Sequence, residues 1–207
     1  MTESETRPAI PAGSLSTRIL GEVRPFARST LATAALAVVW AVWASGPSWA
    51  TPAVVVLAVA GAALGVIDAR THRLPNAIVY PTTAVVPVLL ALAAVAGAVT
   101  GGPSWEALWR ATLGFAAHAG FYLLMWLVFK GGVGLGDVKL AGVLGAVTAW
   151  WGWDAFLVAA VAPYVVGGVV AVALLLFRLA GRKSYIPFGP FMLLGVVVAL
   201  TWERLAS

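Results

Sequence analysis

Cysteine is absent from all 207 residues, which excludes disulfides, thiolate zinc sites and a cysteine nucleophile. Charge is scarce too, at 10% of residues, where a soluble domain carries about a quarter. Only eight residues are acidic and two are histidines, and two histidines make no metal site without further ligands. The net charge of +5 is small and spread through connecting segments, so it reads as loop charge and not as a nucleic-acid surface. What fills the chain instead is apolar. Hydrophobic residues make up 61% and the mean hydropathy is +0.96, the composition of a polytopic membrane protein.

The runs fall in order. Residues 1–28 are polar and hold Arg7, Arg18, Arg24 and Arg28 against Glu3, Glu5 and Glu22, a tail expected to be disordered or to lie on the cytoplasmic membrane surface. Residues 29–50 hold the first apolar run, Leu31 to Trp49, just long enough for a bilayer that needs about 20 apolar residues. A signal peptide is the rival for this run, but the tail before it is long and the run exceeds the usual apolar core of about 7–15 residues. Ala53 to Ile67, Ala77 to Thr100, Ala111 to Phe129, Val138 to Trp151, Ala155 to Ala180 and Phe191 to Trp202 follow. Trp105 to Arg110 reads as a short interfacial piece leading into the run Ala111 to Phe129, and Val138 to Trp151 is short enough that a re-entrant segment competes with a span. The expectation is an all-α protein with about seven spans, a six-helix core at 53–204 after one additional helix.

Orientation follows from charge. With the amino terminus in the cytoplasm, Arg7, Arg18, Arg24, Arg28, Arg70, Arg73, Lys130, Lys139, Arg178, Arg182 and Lys183 lie inside, and only Arg110 and Arg204 outside. Seven of the ten tryptophans, from Trp49 to Trp202, fall near the expected outer ends, as an interfacial belt would.

Two acids stand apart. Glu106, Asp154 and Glu203 belong to the outer side and three glutamates to the tail, so Asp68 and Asp137 are the only acids at the inner ends of helices. An ionisable residue at the membrane is a functional candidate by default. Asp137 lies within Lys130-Gly-Gly-Val-Gly-Leu-Gly-Asp-Val-Lys-Leu140, where the glycines permit sharp turns and close backbone approach. The bland alternative is structural: Asp137 as an N-cap, and Asp68 as a solvated helix stop. Two carboxyls close together share a proton, leaving one base and one acid, the arrangement for water-mediated peptide hydrolysis. Helix-end charge suggests the ionised base at Asp137 and the shared proton on Asp68.

Gly134-Leu-Gly-Asp-Val-Lys-Leu140 resembles the GxGD motif of the type IV prepilin peptidases, membrane aspartyl proteases that trim pilin and pseudopilin leaders. Asp68 before Pro75-Asn76 is similar to that family's first aspartate, and Ile186-Pro-Phe-Gly-Pro190 to the segment before its last helix. The resemblance covers about residues 53–204. It implies that Asp68 and Asp137 form the catalytic pair, acting without cofactor or metal. It also implies a prepilin substrate in the bacterial cytoplasmic membrane, with a basic leader, a glycine at the cut and an apolar helix. By the same resemblance Gly134, Gly136, Lys139, Pro75, Asn76, Pro187, Phe188, Gly189 and Pro190 bind substrate or support the loops. Longer members carry a cytoplasmic loop with paired CxxC zinc motifs and also methylate the new amino terminus; this cysteine-free chain resembles a compact, peptidase-only branch.

The remaining polar residues have plainer expectations. His72 reads as a solvated loop histidine, and His118 as a buried one hydrogen-bonded to a neighbouring helix. Lys139 reads as snorkelling to the inner headgroups, where lipid is the expected partner. Gly61-Ala-Ala-Leu-Gly65 and Gly142-Val-Leu-Gly145 are small faces expected to bring the two aspartate helices together. Other classes stay open on residues alone: a presenilin-like protease, a proton- or cation-coupled transporter, and a silent scaffold for pilus assembly.

Overall fold

The structure, a computed structural model, describes residues 14–103, 105–129, 134–177 and 187–206. Among these residues every regular element is a helix: α1 (Leu15–Val23), α2 (Ala27–Ser45), α3 (Thr51–Thr71), α4 (Asn76–Thr100), α5 (Trp105–Val128), α6 (Leu135–Trp151), α7 (Trp153–Leu176) and α8 (Gly189–Ala206). Among the described residues, six helical stretches are long and apolar enough to cross a membrane. The tail's described part is α1, capped by the Ser14 hydroxyl and joined to α2 through a 3₁₀ turn at Arg24–Phe26. Ile19, Val23 and Phe26 pack on the core, while Leu15 and Leu20 stay exposed, the division of a surface-lying amphipathic helix.

One boundary differs from the sequence expectation. The piece Trp105–Arg110, expected to lead into the fourth run, is the first part of the same helix: α5 starts at Trp105 and runs unbroken to Val128. Glu106 sits in the first turn, where the helix dipole favours an acid, and pairs with Arg110 one turn on at 2.7 Å. α4, read as the single run Ala77 to Thr100, is one helix that continues through Pro81 and Pro87.

α6 is the short run whose crossing was open. Its 17 residues span about 25 Å at 1.5 Å per residue. Leu140 to Trp150 are buried without exception, so this helix touches protein on all sides and need not match the bilayer's thickness. Its far end is fixed by Arg110, which donates to the Ala149 and Trp150 carbonyls at 3.3 and 3.1 Å. It therefore runs as one continuous helix from Gly134 to the tryptophan-rich end of the bundle.

Small residues set the packing. A Cβ at Gly142 would meet the Phe115 ring at 2.8 Å, and one at Gly145 the His118 Cβ at 2.7 Å, so α5 and α6 lie backbone to backbone. Gly195 of α8 meets Pro163 and Ala159 of α7 in the same way. Gly61 and Gly65 instead receive the Leu193 side chain from α8. The expectation that the small faces bring α3 and α6 together is therefore corrected: each faces a different helix. α4 and α8 pack against both α3 and α6 and carry the aspartates' mutual placement.

A cavity of about 720 Å³ opens between α2, α3 and α8, lined by apolar side chains such as Leu57 and Leu193 and ending at Ser29 and Arg70. At the other end of the bundle, Trp49 donates to the Thr100 hydroxyl at 3.0 Å, and Trp40 reaches Thr201 at 3.0 Å.

Candidate active site

Asp68 occupies the last full turn of α3. Its carbonyl accepts the His72 amide at 2.8 Å, closing the helix, and His72 takes the left-handed conformation at φ 54° that ends it. The residue is buried, at 5% exposure. Its Oδ2 accepts the Gly189 N–H at 3.1 Å. Gly189 is the first residue of α8, so the N-terminal turn of that helix presents an amide to the carboxylate, where partial positive charge favours an anion. His72, exposed in the loop, lies within electrostatic range of Asp68.

Asp137 is not the N-cap of α6. Gly134 holds that place, with an extended backbone, and Asp137 stands three residues in. From there its Oδ2 reaches back to the Gly134 N–H at 2.9 Å, while its own amide donates to the Gly134 carbonyl at 3.0 Å. This is the returning half of a capping box, a glycine having no side chain to supply the other half. Asp137 and Asp68 lie within electrostatic range of each other. Each aspartate thus has one oxygen tied to a glycine amide at a helix start. The helix-end asymmetry that assigned base to Asp137 and acid to Asp68 is absent, since α8 supplies Asp68 with the same kind of terminus.

The other candidate residues gather at this end as well. Pro75 caps α4, its carbonyl accepting the Ile78 and Val79 amides at 3.0 and 3.1 Å. Asn76 opens the helix and accepts from Lys139 Nζ at 3.4 Å. Lys139 also donates to the Tyr80 hydroxyl at 2.8 Å, with its ammonium 4.1 Å from that ring's centroid. The lysine expected to snorkel outward instead clasps α6 to the start of α4. Phe188 caps α8, its carbonyl accepting Phe191 and Met192 amides at 3.1 Å each. Pro187 precedes it and Pro190 lies in the first turn, a position that needs no amide. The Pro187–Pro190 segment therefore both starts the helix and lines the aspartate.

A side chain would crowd a neighbour at two of these places. A Cβ on Gly189 would stand 2.7 Å from Asp68 Oδ2. One on Gly136 would stand 3.0 Å from the Leu74 Cβ. Leu74, which no motif singled out, touches both glycines and so bridges α3's exit, the α6 start and the α8 start. Lys130 to Val133, Tyr185 and Ile186 lie outside the described residues. His118, buried at 4% exposure, makes no hydrogen bond of proper geometry among the described residues, although the Ala141 backbone is close. It packs edge-on against Tyr122 and Phe156, with centroids at 5.2 and 5.7 Å. The hydrogen bond expected of it is thus replaced by ring contacts. Tyr122, Tyr164 and Phe188 complete an aromatic cluster beside the acids. Sequence reasoning passed over Tyr122 and Tyr164 because a tyrosine in an apolar run carries no local signal. No group of three or more metal-ligating side chains occurs among the described residues.

Fold and site together define a class: a helical membrane protein holding two carboxylates at one end of its bundle, each beside a glycine-led helix start. The type IV leader peptidase family matches residues 55–172, and the chain belongs to that family. It is an integral membrane protein. It is 35% identical to the prepilin leader peptidase/N-methyltransferase of Stutzerimonas stutzeri over 77% of this chain and 53% of that protein. The proteins of the same description from Pseudomonas aeruginosa and Aeromonas salmonicida are each 32% identical, over 83% of this chain and 56% of theirs. The chain spans about half the length of these curated relatives. No solved structure matches it.

Proposed function

We propose that this protein is an aspartic endopeptidase that cuts the basic leader from type IV prepilin or pseudopilin-like substrates at the cytoplasmic face of the bacterial membrane. The observation that carries the reading is the paired geometry: Asp68 and Asp137 face one site, each with one oxygen held by a glycine amide. Held that way, the carboxyls are oriented before substrate arrives, and their second oxygens are left for water and the scissile bond. At close range both cannot ionise freely, so the pair holds one proton. The carboxylate takes a proton from water as its oxygen adds to the scissile carbonyl carbon. The neutral carboxyl gives its proton to the carbonyl oxygen. Collapse of the tetrahedral adduct breaks the carbon–nitrogen bond, and the proton delivered to nitrogen releases the trimmed amine.

The substrate's shape fits the site's depth. Asp68 and Asp137 sit at the ends of helices, so the bond they reach is the one where a substrate helix leaves the apolar layer. A basic leader gains nothing from Arg24, Arg28, Arg70 and Arg73 on this face, and anionic lipid holds it instead. In this reading Gly134, Gly136, Gly189 and the Pro75-Asn76 and Pro187–Pro190 segments hold the acids in place, and Lys139 locks α6 to α4.

Co-expression with a prepilin tests the reading. The wild type is expected to release the leader, seen as a gel shift and a new amino terminus by sequencing, while Asp68→Asn and Asp137→Asn leave it attached. Cleavage surviving in either variant would exclude the dyad.

A further inference from the structure

Tyr122 is buried in α5 at 1% exposure, and its hydroxyl makes no hydrogen bond of proper geometry among the described residues. The Tyr164 hydroxyl is close but outside that geometry. A buried tyrosine ordinarily finds a partner for its hydroxyl, and one that does not calls for a reason, a catalytic role among them. Phenylalanine would fill the same space without the penalty.

Packing places this ring near the two helix starts that hold the acids. Along the α5–α6 contact, Arg110 meets the Trp150 carbonyl, Gly114 meets Ala149 and Gly145, and His118 meets Gly145. The sequence numbers fall on one helix as they rise on the other, so the next turn of α5 brings Tyr122 level with the start of α6. There it lies within electrostatic range of Asp137. On its other side the ring stands 6.3 Å from Phe188, whose neighbour Gly189 holds Asp68. Tyr122 thus lies between the two segments that orient the aspartates. The amides nearest the acids, those of Gly134 and Gly189, are already occupied by them.

We infer that Tyr122 is a third catalytic residue, whose hydroxyl donates a hydrogen bond to the scissile carbonyl oxygen as that oxygen gains negative charge. This rests on the peptidase reading above. The phenol keeps its proton throughout; the aspartates carry out both proton transfers, and Tyr122 stabilises charge that appears only on the way to the tetrahedral adduct. A donor of this kind changes turnover and leaves substrate binding nearly alone.

The test is steady-state cleavage of a prepilin in proteoliposomes by wild type, Tyr122→Phe and Tyr164→Phe, with thermal unfolding measured on each. Tyr122→Phe is expected to lower kcat by about 10²-fold, to leave KM within about twofold, and to unfold at or above the wild-type temperature. Tyr164→Phe keeps the wild-type kcat. Turnover of Tyr122→Phe within about threefold of wild type would overturn the inference, as would a loss accompanied by lower stability or an equal loss in Tyr164→Phe. Those results leave the peptidase reading standing. Wild type that cuts nothing, or an Asp137→Asn variant that still cuts, overturns that reading and this inference with it.

Discussion

At the scale of single residues, the site depends on what glycine leaves out. Gly189 has room only for hydrogen between its Cα and the Asp68 carboxylate. Gly189→Ala must push that carboxylate aside, and a displacement of about 1 Å at a reacting group costs about 10²-fold in rate. Cleavage by Gly189→Ala is expected to fall by that order while the protein still inserts and purifies, which a kinetic assay beside size-exclusion chromatography would check. Lys139 makes a different kind of contribution. Its hydrogen bonds to Tyr80 and Asn76 tie two helices together without touching either acid. Lys139→Met should lower stability by about 1 kcal/mol and leave KM unchanged; a tenfold loss of kcat at unchanged stability would instead place the ammonium in the chemistry. Asp68 and Asp137 were legible in the sequence because a carboxylate at the end of an apolar run has few innocent explanations. Their partners were less so. The Gly189 amide that holds Asp68 comes from a helix more than a hundred residues away, and a backbone donor leaves no mark in composition.

At the scale of elements, the apolar runs gave the helices well, because a bilayer demands length and hydropathy that little else in a sequence imitates. α6 was the hard case for the same reason: a helix buried in protein on all sides obeys packing and not bilayer thickness. Which helices pack together was harder still. Small-residue faces announce close approach but not the partner, and the pairings found are α5 with α6 and α8 with both α3 and α7. The contrast yields a prediction. Gly61 faces the far end of the flexible Leu193 side chain, whereas Gly145 faces the Gly114 backbone and the His118 Cβ. Gly61→Ala should therefore be tolerated, gaining up to about 1 kcal/mol in helix propensity against a small rearrangement of Leu193. Gly145→Ala must part α5 from α6 and should cost several-fold more than overpacking at a yielding site, where about 1–3 kcal/mol is usual. Thermal unfolding in detergent would rank them; equal midpoints would mean that α5 and α6 are not locked at Gly145.

At the scale of the whole molecule, both acids, the glycine-led helix starts and Arg70 and Arg73 share one end of the bundle, and most of the tryptophans the other. The cysteine-free chain makes orientation simple to measure. Single cysteines at exposed Arg73 and Gly102, probed on intact cells with an impermeant thiol reagent, should label only at Gly102 until the membrane is opened. Labelling at Arg73 alone would turn the site outward and remove it from a leader in the cytoplasm. The central claim is that Asp68 and Asp137 act as one unit on one bond. Groups that act as a unit are not additive: losing either costs about as much as losing both. The direct measurement is cleavage of a prepilin in proteoliposomes by Asp68→Asn, Asp137→Asn and the double variant, each with its insertion verified. The account predicts that each single substitution lowers kcat by at least about 10³-fold, with the double variant no slower than the worse single one. A single variant retaining a tenth of wild-type turnover, or losses that multiply in the double, would contradict it.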